Sequence, residues 1–244
     1  MILDDLLRRA ALLARPGRRA ILGITGSPGA GKTTLAAYLV RELNGVGPPW
    51  VAHVPMDGFH LADVELDRLG RRDRKGAPDT FDAAGYAALL RRLREEDEEG
   101  GDGGEGGEGD EGIVYAPGFE RVLEQPIAGA IPVPRTARLV VTEGNYLLLR
   151  EGPWARVRPQ LDEVWFCAPD EEERIRRLVA RHEEFGKDHD EALAWVRGTD
   201  QRNADLVATT RGRADLVVPA TALPSPYEPR TAGAQAQPSA RPGR

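Results

Sequence analysis

Gly26-Ser27-Pro28-Gly29-Ala30-Gly31-Lys32-Thr33 decides how the rest of this chain is read. It is a complete G-x-x-x-x-G-K-[ST] pattern. An apolar run from Arg19 to Thr25 precedes it and reads as a buried strand. A helix over residues 32–43 follows, with Leu35, Leu39 and Leu43 inward. Glycines let backbone N–H groups curve around anionic oxygens, and the helix N-terminus adds its positive end. Lys32 then reaches the β- and γ-phosphates of a nucleotide, the Thr33 hydroxyl is placed to ligate Mg²⁺, and Thr34 completes the nucleotide-binding set.

Working outward, further strands are predicted over Trp50–Pro55, Arg138–Glu143, Leu161–Cys167 and Asp215–Pro219. Helices are predicted over 2–14, 82–94, 170–184 and 189–203. Residues 59–81 read as a short helix and an ordered loop. Ile113–Pro134 reads as proline-rich and irregular, with one short strand at 113–115. Strands alternating with helices imply an α/β fold, a three-layer, doubly wound, mostly parallel sheet. Ligands in such sheets sit beyond the C-terminal strand ends. The phosphate loop, Asp57 and Glu143 all fall at such ends.

The chain has 244 residues, 30% charged and 41% hydrophobic, enough for one large core. Its net charge of −6 hides a local imbalance. Residues 95–112 hold ten acids and eight glycines, and without those acids the balance is +4. A tract of that composition cannot bury apolar surface and is expected to be a disordered insert, as is the tail at 221–244. Residues 1–220 are then a single domain. No apolar run reaches the ~18 residues of a membrane span, and Met1–Arg9 lacks a signal-peptide core. The mild basicity is too weak to argue for nucleic acid. A cytoplasmic protein is expected, without membrane or nucleic-acid partners. The lone Cys167 lies in an apolar stretch and reads as an inert buried thiol. His182 and His189 share no metal-ligand spacing with other residues, so no zinc site is argued.

Glu143 ends an apolar strand, where an acid can hold Mg²⁺ directly or through water; the alternative is a solvated strand end. Asp57 can accept a proton from an acceptor hydroxyl, or serve as the turn former of Asp57-Gly58. Arg174, Arg177 and Arg181 share one helix face. They can stabilise charge on a triphosphate, or simply pair with Glu171–Glu173 on a solvated face. His60 can contact an acceptor or cap its own turn.

These residues resemble those of the P-loop small-molecule kinases of the uridine kinase, phosphoribulokinase and type I pantothenate kinase superfamily. The resemblance runs from about residue 20 to about 218, excluding the acidic insert. It rests on Gly26–Thr33, Met56-Asp-Gly-Phe-His60, Arg74-Lys-Gly-Ala-Pro-Asp-Thr-Phe-Asp82, Tyr115-Ala-Pro-Gly-Phe-Glu-Arg121 and Glu143-Gly-Asn-Tyr146. It implies a nucleoside-kinase-like P-loop NTPase fold and Mg²⁺-ATP-dependent phosphorylation of a hydroxyl on a small metabolite, with GTP the other candidate donor. It implies Asp57 as catalytic base, assisted by Lys32, Arg177 and Arg181. It implies a lid near 174–200 and an acceptor site drawn from Asp57, His60, Arg74, Lys75, Tyr115, Phe119, Arg121 and Asn145. Many members are oligomers, so a homodimer is a candidate state. Pantothenate kinases carry Tyr-x-His where this chain has Tyr115-Ala116-Pro117, and uridine kinases place an acid where it has Ala116. The chain looks most like a bacterial nucleoside/nucleotide kinase subgroup, some of whose members act in sugar metabolism.

The competing reading is a P-loop NTPase that switches a protein partner or delivers a metal. Such proteins use an Asn-Lys-x-Asp-type guanine motif or Cys/His clusters, and the sequence carries neither.

Overall fold

The computed structural model describes residues 3–98 and 112–222. In chain order the elements are α1 (Leu3–Leu13), β1 (Ala20–Thr25), α2 (Lys32–Asn44), β2 (Val51–Pro55), α3 (Asp63–Arg68), α4 (Ala83–Glu98), β3 (Val114–Glu120) and β4 (Gln125–Val133). They continue with β5 (Leu139–Glu143), β6 (Glu163–Ala168), α5 (Glu171–Glu184), α6 (His189–Trp195), α7 (Gln201–Ala208) and β7 (Leu216–Pro219).

Five strands form a parallel sheet in the order β2-β5-β1-β6-β7. The β1 and β5 strands are buried along their whole length because helices cover both faces. That is why they read as unbroken apolar runs. Alternate residues then feed two cores. Ile21, Val140, Val164 and Phe166 pack with Tyr86 and Leu90 of α4 on one face. Leu22, Ile24, Leu139, Val141 and Trp165 pack with Leu6, Leu35 and Leu39 of α1 and α2 on the other.

Thr142 interrupts the apolar run of β5 without leaving an unpaired hydroxyl. Its Oγ1 donates to the Val54 carbonyl at 2.6 Å and accepts from the Tyr86 hydroxyl at 2.5 Å. Arg19 is also buried, with 1% exposure. It donates to the carbonyls of Ala137 at 2.7 Å and Leu93 at 2.9 Å, tying α4 to the entry of β5. A buried guanidinium is tolerated only with such partners.

Three predicted spans are corrected. Residues 113–134 are not irregular: β3 and β4 form an antiparallel ribbon, with Val114 opposite Val133 and a register shift at Pro117. Pro126 and Pro132 lie in strands that pair on one side only, where a missing N–H breaks no second ladder. The α4 helix does not stop at Arg94 but continues to Glu98, into the acidic tract. The helix expected over 189–203 is two, α6 and α7, joined by a π turn at Val196–Asp200 that contains Gly198. The rest of the acid/glycine insert and the tail from residue 223 lie outside the described residues.

Candidate active site

The phosphate loop leaves the C-terminal end of central β1. Gly29 (φ +77°) and Gly31 (φ +83°) hold left-handed backbone that side-chain-bearing residues resist. At Gly29 a Cβ would also lie 2.7 Å from Leu178 Cγ, so α5 sits directly on the loop. The Arg174 guanidinium, with 1% side-chain exposure, reinforces this seat by donating to the Pro28 carbonyl at 3.2 Å and to Gln201 at 2.7 Å. Lys32 folds back over the loop, its Nζ donating to the Ser27 carbonyl at 3.0 Å. Burial pulls the Lys32 ammonium down from its ordinary value, opposed by the negative charge of Glu143 and Asp57. Gly26 and Ser27 form the base of the loop, and Ala30 is fully buried beneath it.

The register of the sheet brings the two acids up beside the loop. Glu143 lies opposite Ile24 on one side and Pro55 on the other, so β2 ends alongside it and Asp57 follows two residues later. Glu143 is 4% exposed, and its Oε1 accepts from Thr33 Oγ1 at 3.1 Å. Burial first, and the Asp57 charge second, push its carboxyl up to about 7. Asp57 shifts in the opposite direction. Burial would raise it, but His60, Arg121, Lys32 and Arg181 together hold it below the ordinary carboxylate range. The ionised form of Asp57 is thereby favoured.

Two cavities meet at the loop. One, of about 360 Å³, contains Asp57, His60, Phe119 and Asn145 together with Lys32, Thr33 and Glu143. The other, of about 500 Å³, runs along Ala30–Thr34 and the Arg177–Glu184 side of α5. Gly29, Lys32, Thr33, Arg121 and Arg181 border both.

The Asp57 side of the first cavity is built on aromatic rings. His60 lies 4.0 Å from Phe81 and 4.8 Å from Phe119, centre to centre. Its Nδ1 is 2.8 Å from the Asp57 carbonyl, which can only accept, so Nδ1 carries a hydrogen. Burial lowers the His60 pKa against the pull of Asp57. Of the two sequence alternatives for His60 the turn-closing one is observed, and the same ring also lines the cavity. Lys75 and Arg121 lie over the Phe119 ring at 5.6 Å and 5.3 Å.

Two expected acceptor residues are not brought to the cavity. Tyr115 faces outward with 47% exposure, because strand alternation commits Val114 and Ala116 to the core. Arg74 lies off the lining and pairs with Asp79 at 2.9 Å. The tight turn at Arg72–Arg74 sends positions three apart to one side, so Arg72 and Lys75 take the cavity instead. Arg177 borders the second cavity and is engaged by Glu173 at 2.8 Å. The Arg181 guanidinium, among the described residues, has no hydrogen-bond or ion-pair partner, and it borders both cavities.

The sequence missed Asp63, His182, Trp195, Asp200 and Asn203, all of which border the first cavity. His182 Nε2 is 2.8 Å from Asp200 Oδ2, and the Lys187 ammonium lies 4.9 Å from the Trp195 ring centre. The π turn at 196–200 supplies the phase shift that brings Asp200 round; the sequence signal was the glycine inside that stretch. Burial pushes the Cys167 thiol up to about 12, as an inert thiol requires.

No family model matches the chain. A candidate uridine kinase from Schizosaccharomyces pombe is 31% identical over 222 residues, which cover 88% of this chain and 89% of that protein. The chain belongs to the uridine kinase-like P-loop kinases. This kinase is also 33% identical over 170 residues to the ATP-dependent kinase-like protein notR' of Aspergillus versicolor, covering 67% of this chain and 93% of the relative. The solved structure of a candidate fructose transport system kinase from Silicibacter sp. TM1040 superposes with a TM-score of 0.76 at 33% identity, covering 90% of this chain and all of the other. The kinase is a phosphotransferase, and its P-loop α/β fold is the one the sequence implied. No helix among its described residues is long and apolar enough to cross a membrane.

Proposed function

We propose that this kinase transfers the terminal phosphoryl group of ATP to a hydroxyl of a small metabolite, with Asp57 as the base. The observation that carries the reading is the junction of the two cavities at Lys32 and Thr33. The nucleotide occupies the larger cavity and the acceptor the smaller, which also holds Asp57. Transfer between them is then in line across the junction. The acceptor oxygen attacks the terminal phosphorus, and its proton passes to the ionised Asp57 carboxylate. Lys32 and the uncommitted Arg181 neutralise charge on the transferring group. Thr33 and Glu143 offer two oxygen donors 3.1 Å apart, a set that suits Mg²⁺. Mg²⁺ held there neutralises phosphate charge.

In this reading residues 1–220 act as one kinase domain. The segment at 174–200 acts as its lid, with Arg181 and Lys187 on its inner side. The acceptor is a small hydroxylated compound seated on Phe119 and His60, with Lys75, Arg121 and Asn145 at its edges.

The experiment is a screen for ADP release from Mg²⁺-ATP over sugars, polyols, nucleosides and hydroxy acids. Release that depends on one acceptor is expected. Acceptor-independent hydrolysis that responds instead to a protein partner would overturn the reading in favour of a switch NTPase.

A further inference from the structure

Arg121 stands where β3 runs into the turn of the ribbon. Its Nη2 donates to Asp57 Oδ2 at 2.9 Å, and its side chain is 43% exposed. Among the described residues this is its only hydrogen bond or ion pair. Arg121 also borders both cavities. Four of the five residues that do so belong to the phosphate loop or to α5 lying on it; Arg121 alone comes from the ribbon.

This position sets up a competition. While Arg121 holds Asp57 Oδ2, one oxygen of the base is committed and its charge is compensated. A terminal phosphate offers three oxygens, more negative charge, and the spacing that a planar guanidinium grips in bidentate fashion. Besides Asp57 the guanidinium touches only the face of the Phe119 ring, at 5.3 Å, a contact about which it can swing from one anion toward the other.

We propose that Arg121 is a catalytic latch: it pairs with Asp57 in the empty enzyme, moves to the terminal phosphate of a bound nucleoside triphosphate, and so frees Asp57 for the acceptor hydroxyl. This rests on the kinase reading above. In the transfer step the acceptor oxygen bonds to phosphorus as the bond from phosphorus to the bridging oxygen breaks. The bridging electron pair leaves with the nucleoside diphosphate, and the acceptor proton goes to Asp57. Arg121 stays on the non-bridging oxygens throughout. A diphosphate leaves the latch closed, so the base is exposed only when there is a group to transfer.

The test compares binding of ADP with binding of the non-hydrolysable analogue AMP-PNP, both with Mg²⁺, by calorimetry on the full chain. Wild-type protein is expected to prefer AMP-PNP. Arg121→Ala should weaken AMP-PNP about tenfold, the worth of a charged hydrogen bond, and leave ADP within about twofold. Arg121→Lys, which keeps the charge without the fork, should fall between. Asp57→Asn, which opens the latch, should tighten AMP-PNP several-fold in the wild-type background and much less beside Arg121→Ala. An Arg121→Ala variant that keeps the full preference for AMP-PNP, or loses both ligands equally, overturns the latch and leaves the kinase reading standing. A wild-type protein that binds neither nucleotide overturns the kinase reading and the latch with it.

Discussion

Thr33 Oγ1 donates to Glu143 Oε1 at 3.1 Å, so the first turn of the helix after the phosphate loop is joined to the end of a neighbouring buried strand. The contact draws together two oxygen donors of a kind that suits a divalent cation, the buried Glu143 carboxyl and the exposed Thr33 hydroxyl. It also holds a buried carboxyl whose protonation is tied to folding.

Glu143→Gln should therefore lower kcat about 10- to 100-fold at saturating Mg²⁺-ATP, as loss of a cation-positioning group does. It should also leave a signature in metal-free stability. Glu143 is raised in the fold to about 7 from an ordinary 4.5, so the folded protein binds the extra proton between those values. The stabilisation is complete below pH 4.5 and is lost as pH rises through about 7. Denaturant midpoints of wild type and Glu143→Gln, both without Mg²⁺, should diverge over that window, with wild type losing more as pH rises. Parallel curves would show that Glu143 is not raised.

Asp57→Asn should cut kcat by roughly 10²- to 10⁴-fold with the acceptor selected by the screen, the usual worth of a positioned base. AMP-PNP binding should not weaken, because the phosphate loop is untouched, and it should tighten if Arg121 is released as proposed. A variant that keeps most of its kcat would remove Asp57 from the base role.

What was legible in the sequence were the parts whose chemistry is local. Gly29, Gly31 and Lys32 declare a phosphate loop through residue type and spacing alone, and β1 and β5 declare themselves as apolar runs because both faces are covered. What was not legible depended on which way a side chain turns. Tyr115 lies in a recognisable motif, yet its strand neighbours claim the core and turn it outward. Arg72 and Arg74 are equally basic, and only the local turn decides which one enters the cavity. The β3–β4 ribbon escaped because its prolines read as irregular chain, although strands paired on one side tolerate them. Asp200 and Asn203 come round only through a π turn, which no periodicity of 3.6 anticipates.

The arginines of α5 should separate by function. Arg177 is held by Glu173 at 2.8 Å, whereas Arg181 is unpaired among the described residues and borders both cavities. Arg181→Ala should reduce kcat at least about 100-fold with a smaller change in KM for ATP, because its charge matters most as the phosphoryl group transfers. Arg177→Ala should cost less than about tenfold. Steady-state kinetics on the two variants decides the matter, and equal losses would mean that the Glu173 pair opens during turnover.

Gly58 shows how Asp57 is set against the wall of the first cavity. A Cβ on this residue would lie 2.2 Å from the Pro117 carbonyl oxygen, which belongs to the ribbon backbone and cannot rotate away. The absent side chain is what lets the Asp57 turn and the β3 strand close on each other, and the same approach puts Arg121 within 2.9 Å of Asp57. Gly58→Ala should therefore force the ribbon outward. Overpacking of this kind costs about 1–3 kcal/mol, several degrees in Tm for a domain of this size. The kinetic effect should be selective. KM for the acceptor should rise and kcat should fall, because Phe119 and Arg121 ride on the displaced strand, while ADP affinity, set by the phosphate loop, should hold. Thermal denaturation and ADP titration of Gly58→Ala check the two halves separately. An unchanged Tm would mean that the ribbon yields at no cost. A parallel loss of ADP binding would mean that the displacement spreads to the loop itself.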